Sequence, residues 1–278
     1  MQTIKETPDH LGQCVGTGRT AEVYLWGDSC VLKLFRPEIP HEWTQHEAAV
    51  ARLVAGDGLP TPAPNEPLVD IDGRLGIVYA RVSGPTMLAV MQQQPALLPV
   101  LAREFGELHT LIHACTGANL PAQQSALAHA IDHTPLLSSV VKQQLLQRLE
   151  QLPGGGALCH SDFHPGNVVM TRQGPMIIDW MTACRGNPIA DIARTVLIFR
   201  ITQAPAGSGV PPLLFAQMKE AFLAAYLDAY QARHPFAPAE LEPWLPVLAA
   251  ARLNERIAGE EEPLLHLAGA VQRTPVSS

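Results

Sequence analysis

The apolar period changes once along this 278-residue chain, and that change limits the possible folds more than any other feature. Up to about residue 84, apolar residues alternate or run in short blocks between turn formers, as in strands. Residues 12–26 alternate small and β-branched side chains, Gly27-Asp28 makes a turn, and residues 30–35 are a short apolar strand, so a β-hairpin is predicted. Pro37 and Pro40 interrupt the chain, and a helix is expected over 42–55, stopped by Gly56 and Gly58. Pro60, Pro62, Pro64 and Pro67 then hold an extended loop. Two apolar runs, 68–71 and 75–82, flank Asp72-Gly73, which marks a second hairpin.

After Gly84-Pro85 the period becomes helical. Leu101, Phe105, Leu108, Ile112 and Cys115 recur at steps of 4, 3, 4 and 3, which puts them on one helix face. Helices are also expected over 136–152, 213–232 and 241–258, with loop and short strands over 157–179. The chain therefore reads as α+β: a small antiparallel β-rich lobe over 1–84, then a larger, mainly helical lobe over 85–278. The Ser- and Pro-containing end after Ala270 reads as a frayed tail.

Composition removes several classes of protein. With 47% hydrophobic and 16% charged residues the chain can bury a core and is not disordered. A net charge of -7 does not suit a binder of phosphate backbones, so no nucleic-acid partner is expected. Five scattered cysteines, odd in number and without a CxxC pair, argue against a disulfide framework or a zinc site. The first residues hold no apolar signal segment, and no apolar run reaches the ~18 residues of a spanning helix. A cytoplasmic protein with no membrane partner is expected.

One segment carries chemistry. His160-Ser161-Asp162-Phe163-His164-Pro165-Gly166-Asn167 is followed by the apolar run 176–178 and then Asp179-Trp180. Phosphoryl transfer to a hydroxyl needs a carboxylate to orient the alcohol and take its proton, and oxygen ligands to hold magnesium against a triphosphate. Asp162 suits the first task. Asn167 and Asp179 suit the second, Asp179 being mounted at the end of a rigid apolar strand. Taken singly, each is more simply a turn former or a strand cap; the whole pattern favours chemistry.

A second segment, Gly16-Thr17-Gly18-Arg19-Thr20-Ala21-Glu22-Val23, sits between expected strands. Glycines there let backbone N–H groups approach phosphate oxygens, although an ordinary turn explains a lone GxG as well. Lys33 follows in an apolar strand. A buried lysine needs a partner, and Glu47 on the next helix or the phosphates of ATP could serve; the bland alternative is a lysine reaching out to solvent. His109 and His113, one turn apart, read as a packed or interfacial pair rather than as metal ligands. The acidic run Glu260-Glu261-Glu262 reads as a solvated helix end.

Together these parts resemble the aminoglycoside phosphotransferase and choline kinase family, which shares the protein-kinase-like fold. The resemblance spans about 12–258 and is most specific over 159–191. It implies an ATP- and Mg2+-dependent kinase of a small-molecule hydroxyl: an aminoglycoside, choline, an amino alcohol or a sugar. Residue by residue it implies a phosphate loop with Gly16 and Gly18, a Lys33–Glu47 pair, Asp162 as base, Asn167 and Asp179 as magnesium ligands, and adenine contacts from the backbone of Ala80 and Val82. Asp191 resembles the family aspartate that braces the catalytic loop. Ser161 stands where the family usually has glycine, and Asn187 where an aspartate is expected. Two rivals differ in class. One is a nucleotide-binding regulator that has lost catalysis. The other is a protein kinase, which the missing arginine before Asp162 and the short stretch after Asp179 disfavour.

Overall fold

A computed structural model of the chain describes residues 2–204 and 209–270. The tail expected after Ala270 lies outside them. The chain forms two compact units: Met1–Val90 with Pro165–Thr182, and Met91–His164 with the chain from Ala183 onward.

The first unit is built on one sheet. Strands β1 (Thr3–Glu6), β2 (Cys14–Thr17), β3 (Ala21–Trp26), β4 (Cys30–Phe35), β5 (Pro64–Ile71) and β6 (Arg74–Ala80) take the order β1-β5-β6-β4-β3-β2. Every pairing is antiparallel except β1 with β5, where Thr3 lies opposite Leu68. The Asp72-Gly73 turn has φ values of 52° and 82° and sets Ile71 opposite Arg74. Two successive positive φ angles suit the right-handed strand twist of a tight hairpin, which is why Asp-Gly is found there.

Strand β5 already starts at Pro64, inside the stretch expected to be loop. It can do so because pairing with β6 shifts between Asn65 and Val69, leaving Pro67 out of the ladder. In β4 the side chains alternate between faces. Leu32 and Leu34 join Val69, Ile71 and Val78 in one apolar cluster. Phe35 joins Ala21, Leu68, Leu75, Ile77 and, from helix α1 (His41–Gly56), Ala48 in another. Lys33 shares the parity of Phe35, so it points to the α1 face.

Residues 165–182 return to this unit as a hairpin. Strands β7 (Ala157–Cys159), β8 (Val168–Thr171) and β9 (Gly174–Ile177) follow along the chain, and β8 pairs with β9, Val168 opposite Ile177. Met170 N–H donates to Pro85 O at 2.8 Å and Ile177 N–H to Pro60 O at 2.7 Å.

The second unit is mainly helical. Helix α2 (Met87–Gln93) spans the junction. Then come α3 (Leu98–Ala114), α4 (Gln123–His133), α5 (Ser139–Gln151), α6 (Pro188–Ile201), α7 (Pro212–Gln231), α8 (Leu245–Leu253) and α9 (Glu261–Leu267). Strand β7 pairs with β10 (Cys184–Gly186), Cys184 opposite Cys159. The stripe expected on α3 is its core face: Leu101, Phe105, Leu108 and Ile112 are buried, and Phe105 stacks on Phe163 with ring centroids 4.1 Å apart. Helix α6 went unread in the sequence because nearly every side is buried, which leaves no polar face to set a period. Among the described residues, no helix is long and apolar enough to cross a membrane.

Candidate active site

Alternation in β4 delivers Lys33 to the buried face of α1. There its Nζ donates to Glu47 Oε1 at 2.6 Å and to Asp179 Oδ1 at 2.9 Å. Burial alone would pull the ammonium toward neutrality. The charges of Glu47 and Asp179 outweigh it and hold Lys33 above its ordinary value. Burial pushes Glu47 up, and the pull of Lys33 does not fully cancel that. Tyr79 OH adds a 3.4 Å contact to Glu47 Oε1, while Glu47 Oε2 is buried with no hydrogen-bond partner. The ammonium is thus fixed as a cation by two carboxylates.

Asp179 adopts φ 67° just past β9, and its side chain is 42% exposed. Aspartate tolerates this left-handed conformation better than most residues. Trp180 anchors the turn, buried and donating its Nε1–H to Thr61 Oγ1 at 2.9 Å. The β8–β9 ladder continues one step further, where Ile178 N–H donates to Asn167 O at 3.0 Å. Asn167 therefore sits across the ladder from the residue preceding Asp179. One hairpin carries both oxygen-bearing side chains that the sequence suggested for a metal.

Gly16 lies in β2 and Gly18 in the turn to β3, where Gly18 N–H donates to Ala21 O at 2.8 Å. Neither has positive φ, and a Cβ on either would meet its nearest neighbour at 3.5 Å and 3.4 Å, ordinary contact distances. The fold itself demands glycine at neither place. Ala80 ends β6 opposite Cys30, and Val82 follows two residues later; Arg81 N–H donates to Ser29 O at 2.8 Å.

Asp162 belongs to the second unit, on the loop after β7. That loop is held by its backbone: His160 N–H donates to Asp191 Oδ2 at 2.7 Å and Ser161 N–H to Asp191 Oδ1 at 2.8 Å. Ser161 has φ 62°, a conformation glycine adopts freely and serine at a cost. Asn187 caps α6, its Oδ1 accepting from Ile189 N–H at 2.8 Å, and so places Asp191 in the first turn. The capping oxygen that an aspartate would supply is present in the asparagine.

His109 and His113 complete the brace. Each Nε2 lies 3.2 Å from Asp191 Oδ2, and each Nδ1 lies 2.7 Å from a tyrosine hydroxyl, Tyr226 and Tyr230 respectively. With Nε2–H donating to the carboxylate, Nδ1 accepts from the tyrosine. Burial would raise Asp191, but the hydrogen bonds from His109 and His113 hold it well below the usual carboxylate range. Burial and the neighbouring His113 bring His109 down to about 4, against the opposing pull of Asp191.

Around Asp162 stands a charge cluster whose arginines, Arg194 and Arg252, sequence reading missed. Arg194 Nη2 and Arg252 Nη1 lie 3.8 Å and 3.7 Å from Asp162 Oδ1, and His164 Nε2 lies 3.6 Å from Oδ2. Glu255 pairs with Arg194 and, at 3.4 Å, with Arg252; Glu260 accepts from Arg252 Nε at 2.6 Å and Nη2 at 2.9 Å. Burial pushes Asp162 up, but His164 and Arg194 outweigh it and keep the carboxyl well below its ordinary value. Glu260 is thus no solvated helix end: its side chain is 16% exposed and fully engaged. Arg194, the lone charged residue of 192–199, and Arg252, the lone one of 245–253, were the available signal, by the same argument that singled out Lys33.

A β-rich unit and a helical unit with this connectivity define a protein-kinase-like phosphotransferase fold. The chain matches the phosphotransferase enzyme family (APH) over residues 15–244 and belongs to that family. No curated protein matches its sequence. Among solved structures, it resembles a thermostable mutant of aminoglycoside phosphotransferase APH(4)-Ia in ternary complex with ADP and hygromycin B, at TM-score 0.65 and 14% identity, covering 96% of this chain and 94% of that one. It also resembles the amicoumacin kinase hAmiN in complex with AMP-PNP and Ca2+, at TM-score 0.58 and 16% identity over 94% and 87% of the two chains. A third is a choline/ethanolamine kinase family protein from Mesorhizobium loti, at TM-score 0.56 and 20% identity over 96% and 82%. At these identities the likeness is one of fold.

Proposed function

We propose that this phosphotransferase family member moves the γ-phosphoryl group of ATP to a hydroxyl of a small molecule. The carrying observation is Lys33, an ammonium fixed between Glu47 and Asp179. A cation so placed, with one side of its cage partly exposed at Asp179, suits the phosphates of a nucleotide. Gly16 and Gly18 point the same way, because no backbone angle or steric contact requires them. Relatives solved with ADP, AMP-PNP and Ca2+ support a nucleotide with a divalent metal.

In this reading the backbone around Gly16 and Gly18, with Lys33, holds the phosphates, and the backbone of Ala80 and Val82 holds adenine. The carbonyl oxygen of the Asn167 side chain and the carboxylate of Asp179 are hard oxygen donors that fit Mg2+. When bound, the metal supplies charge neutralisation at the phosphate oxygens. Asp162 orients the acceptor hydroxyl. As that oxygen bonds to the γ-phosphorus and the bond to ADP breaks, the proton passes to the Asp162 carboxylate. The transition state is loose, so most of the rate comes from positioning and charge. The acceptor class stays broad: aminoglycoside-like, choline-like, or a sugar or amino alcohol.

The test is ADP release by the full chain with MgATP against hygromycin B, amicoumacin, streptomycin, choline, ethanolamine, simple sugars and serine peptides. At least one small hydroxyl compound should stimulate release. Asp162→Asn should lower turnover by about 10²- to 10⁴-fold, the usual contribution of a positioned base, while nucleotide still binds. Nucleotide binding without any transfer would favour the regulator, and transfer to peptides alone a protein kinase.

A further inference from the structure

An arginine holds the turn between β2 and β3 from outside. Arg36 follows β4, and its backbone N–H donates to Thr20 O at 2.9 Å, which sets it beside the turn. From there its guanidinium closes on one carbonyl, with Nη2 donating to Gly18 O at 3.1 Å and Nε at 3.4 Å. Glu22 stands behind it. Its Oε2 accepts from Arg74 Nη2 at 2.7 Å, and its Oε1 lies 3.9 Å from Arg36 Nη1. Arg74 is fixed in turn by Phe35 O, which accepts from its Nε at 2.8 Å. One carboxylate thus serves two guanidinium groups, and these three side chains stay net positive. All of them lie in the first unit.

The Gly18–Arg19 peptide is trans, and in a planar trans peptide the C=O and the N–H point in opposite directions. Fixing Gly18 O on Arg36 therefore aims the Arg19 N–H away from the guanidinium. This matters at a glycine, whose peptide turns over at less cost than that of other residues. Turned over, it would offer a carbonyl where an anion needs an N–H. We propose that Arg36 is a positioning residue that locks the Gly18–Arg19 peptide in the orientation in which the Arg19 N–H meets a nucleotide phosphate. The inference rests on the reading of the stretch around Gly16 and Gly18 as the phosphate loop. An arginine that only fastened β4 to the turn would affect stability and every ligand of the sheet alike.

The test uses the full chain and its Arg36→Met and Arg36→Lys variants, titrated calorimetrically with AMP-PNP and Mg2+ and, separately, with adenosine. Arg36→Met should weaken AMP-PNP binding about tenfold, the order expected for one lost charge-assisted contact, and leave adenosine within about twofold, because adenosine has no phosphate for the loop to meet. Arg36→Lys keeps the charge but has no planar fork to pin a carbonyl, so it should stay nearer to Arg36→Met than to the parent. Unchanged AMP-PNP affinity in Arg36→Met, equal losses for AMP-PNP and adenosine, or full rescue by lysine overturns the proposal. Should Arg36→Met not fold, Arg36→Lys is measured alone, and parental affinity for AMP-PNP overturns the proposal there too. Lys33→Met run alongside separates the two failures. If it binds AMP-PNP as tightly as the parent, the phosphate reading of this site falls; if it loses binding and the Arg36 variants do not, only the role of Arg36 falls.

Discussion

Nζ of Lys33 lies 2.9 Å from Oδ1 of Asp179, a residue 146 positions further along the chain. The pair ties strand β4 to the end of the β8–β9 hairpin, and Asp179 keeps 42% of its side chain exposed. An ion pair that open to water contributes little to stability, within about 1 kcal/mol. In the proposed role as a metal ligand, its carboxylate counts for far more. Asp179→Asn should leave unfolding nearly unchanged yet weaken nucleotide binding in the presence of Mg2+ by at least about tenfold, or 1.4 kcal/mol. Binding without Mg2+ should change less. Calorimetric titration of a nonhydrolysable ATP analogue with and without Mg2+ checks this, and equal losses in both series would count against Asp179 as a metal ligand.

The other arm of Lys33 behaves differently because Glu47 is buried, with 2% of its side chain exposed. Lys33→Met strands a carboxylate that already has one oxygen without a partner. The expected cost is about 3 kcal/mol of unfolding free energy. It should shrink toward low pH, because burial favours the neutral form of Glu47 and a proton can replace the lost lysine. The double variant Lys33→Met/Glu47→Leu should be more stable than Lys33→Met. Urea unfolding of the three proteins at pH 5 and pH 8 decides it.

Much of this geometry is legible before any coordinates. The Asp72-Gly73 hairpin follows from turn chemistry, the α3 core face from its spacing, and the Lys33–Glu47 contact from the cost of an unpaired lysine in an apolar strand. Other features are not written locally. Strand β1 finds its parallel partner β5 some sixty residues away, and nothing in residues 3–6 names it. The return of residues 165–182 to the first unit depends on backbone bonds such as Met170 N–H to Pro85 O, which leave no side-chain trace. The role of Asp191 could be guessed from resemblance. Its two histidine partners come from helix α3, each bonded in turn to a tyrosine hydroxyl of α7, and only packing brings them together.

That convergence depends on a close helix crossing. A Cβ on Gly106 would meet Tyr226 O at 2.6 Å and the Ala229 side chain at 2.9 Å, and neither can yield without moving α7. Alanine gains about 1 kcal/mol of helix propensity over glycine, but overpacking of this kind costs about 1–3 kcal/mol. The clash is with backbone, so the cost wins. Gly106→Ala should be destabilised in chemical denaturation, and turnover should fall with it because Tyr226 also fixes the ring of His109. A variant as stable as the parent would show that α3 and α7 can part freely.

The same buried brace predicts an acid-sensitive fold. His109 has its folded value lowered to about 4 by burial and by His113, whereas in the unfolded chain it titrates near the ordinary imidazole value of about 6.5. Between those values the unfolded chain binds a proton that the folded chain refuses, so stability rises with pH across this window. The contribution, about 3 kcal/mol in full, is present above about pH 6.5 and is lost progressively as pH falls toward 4. Asp191, held well below the usual carboxylate range, acts in the same direction at lower pH still: its contribution is present above the ordinary carboxylate value and disappears as the acid form populates. Urea unfolding at pH 7.5, 6.5, 5.5 and 4.5 should therefore show a steady fall in midpoint. His109→Gln, which cannot take up the proton, should be less stable at pH 7.5 but give a visibly flatter profile. A parent protein equally stable at pH 7.5 and 4.5, or a variant with an unchanged slope, would mean that burial does not hold the folded His109 below its ordinary value.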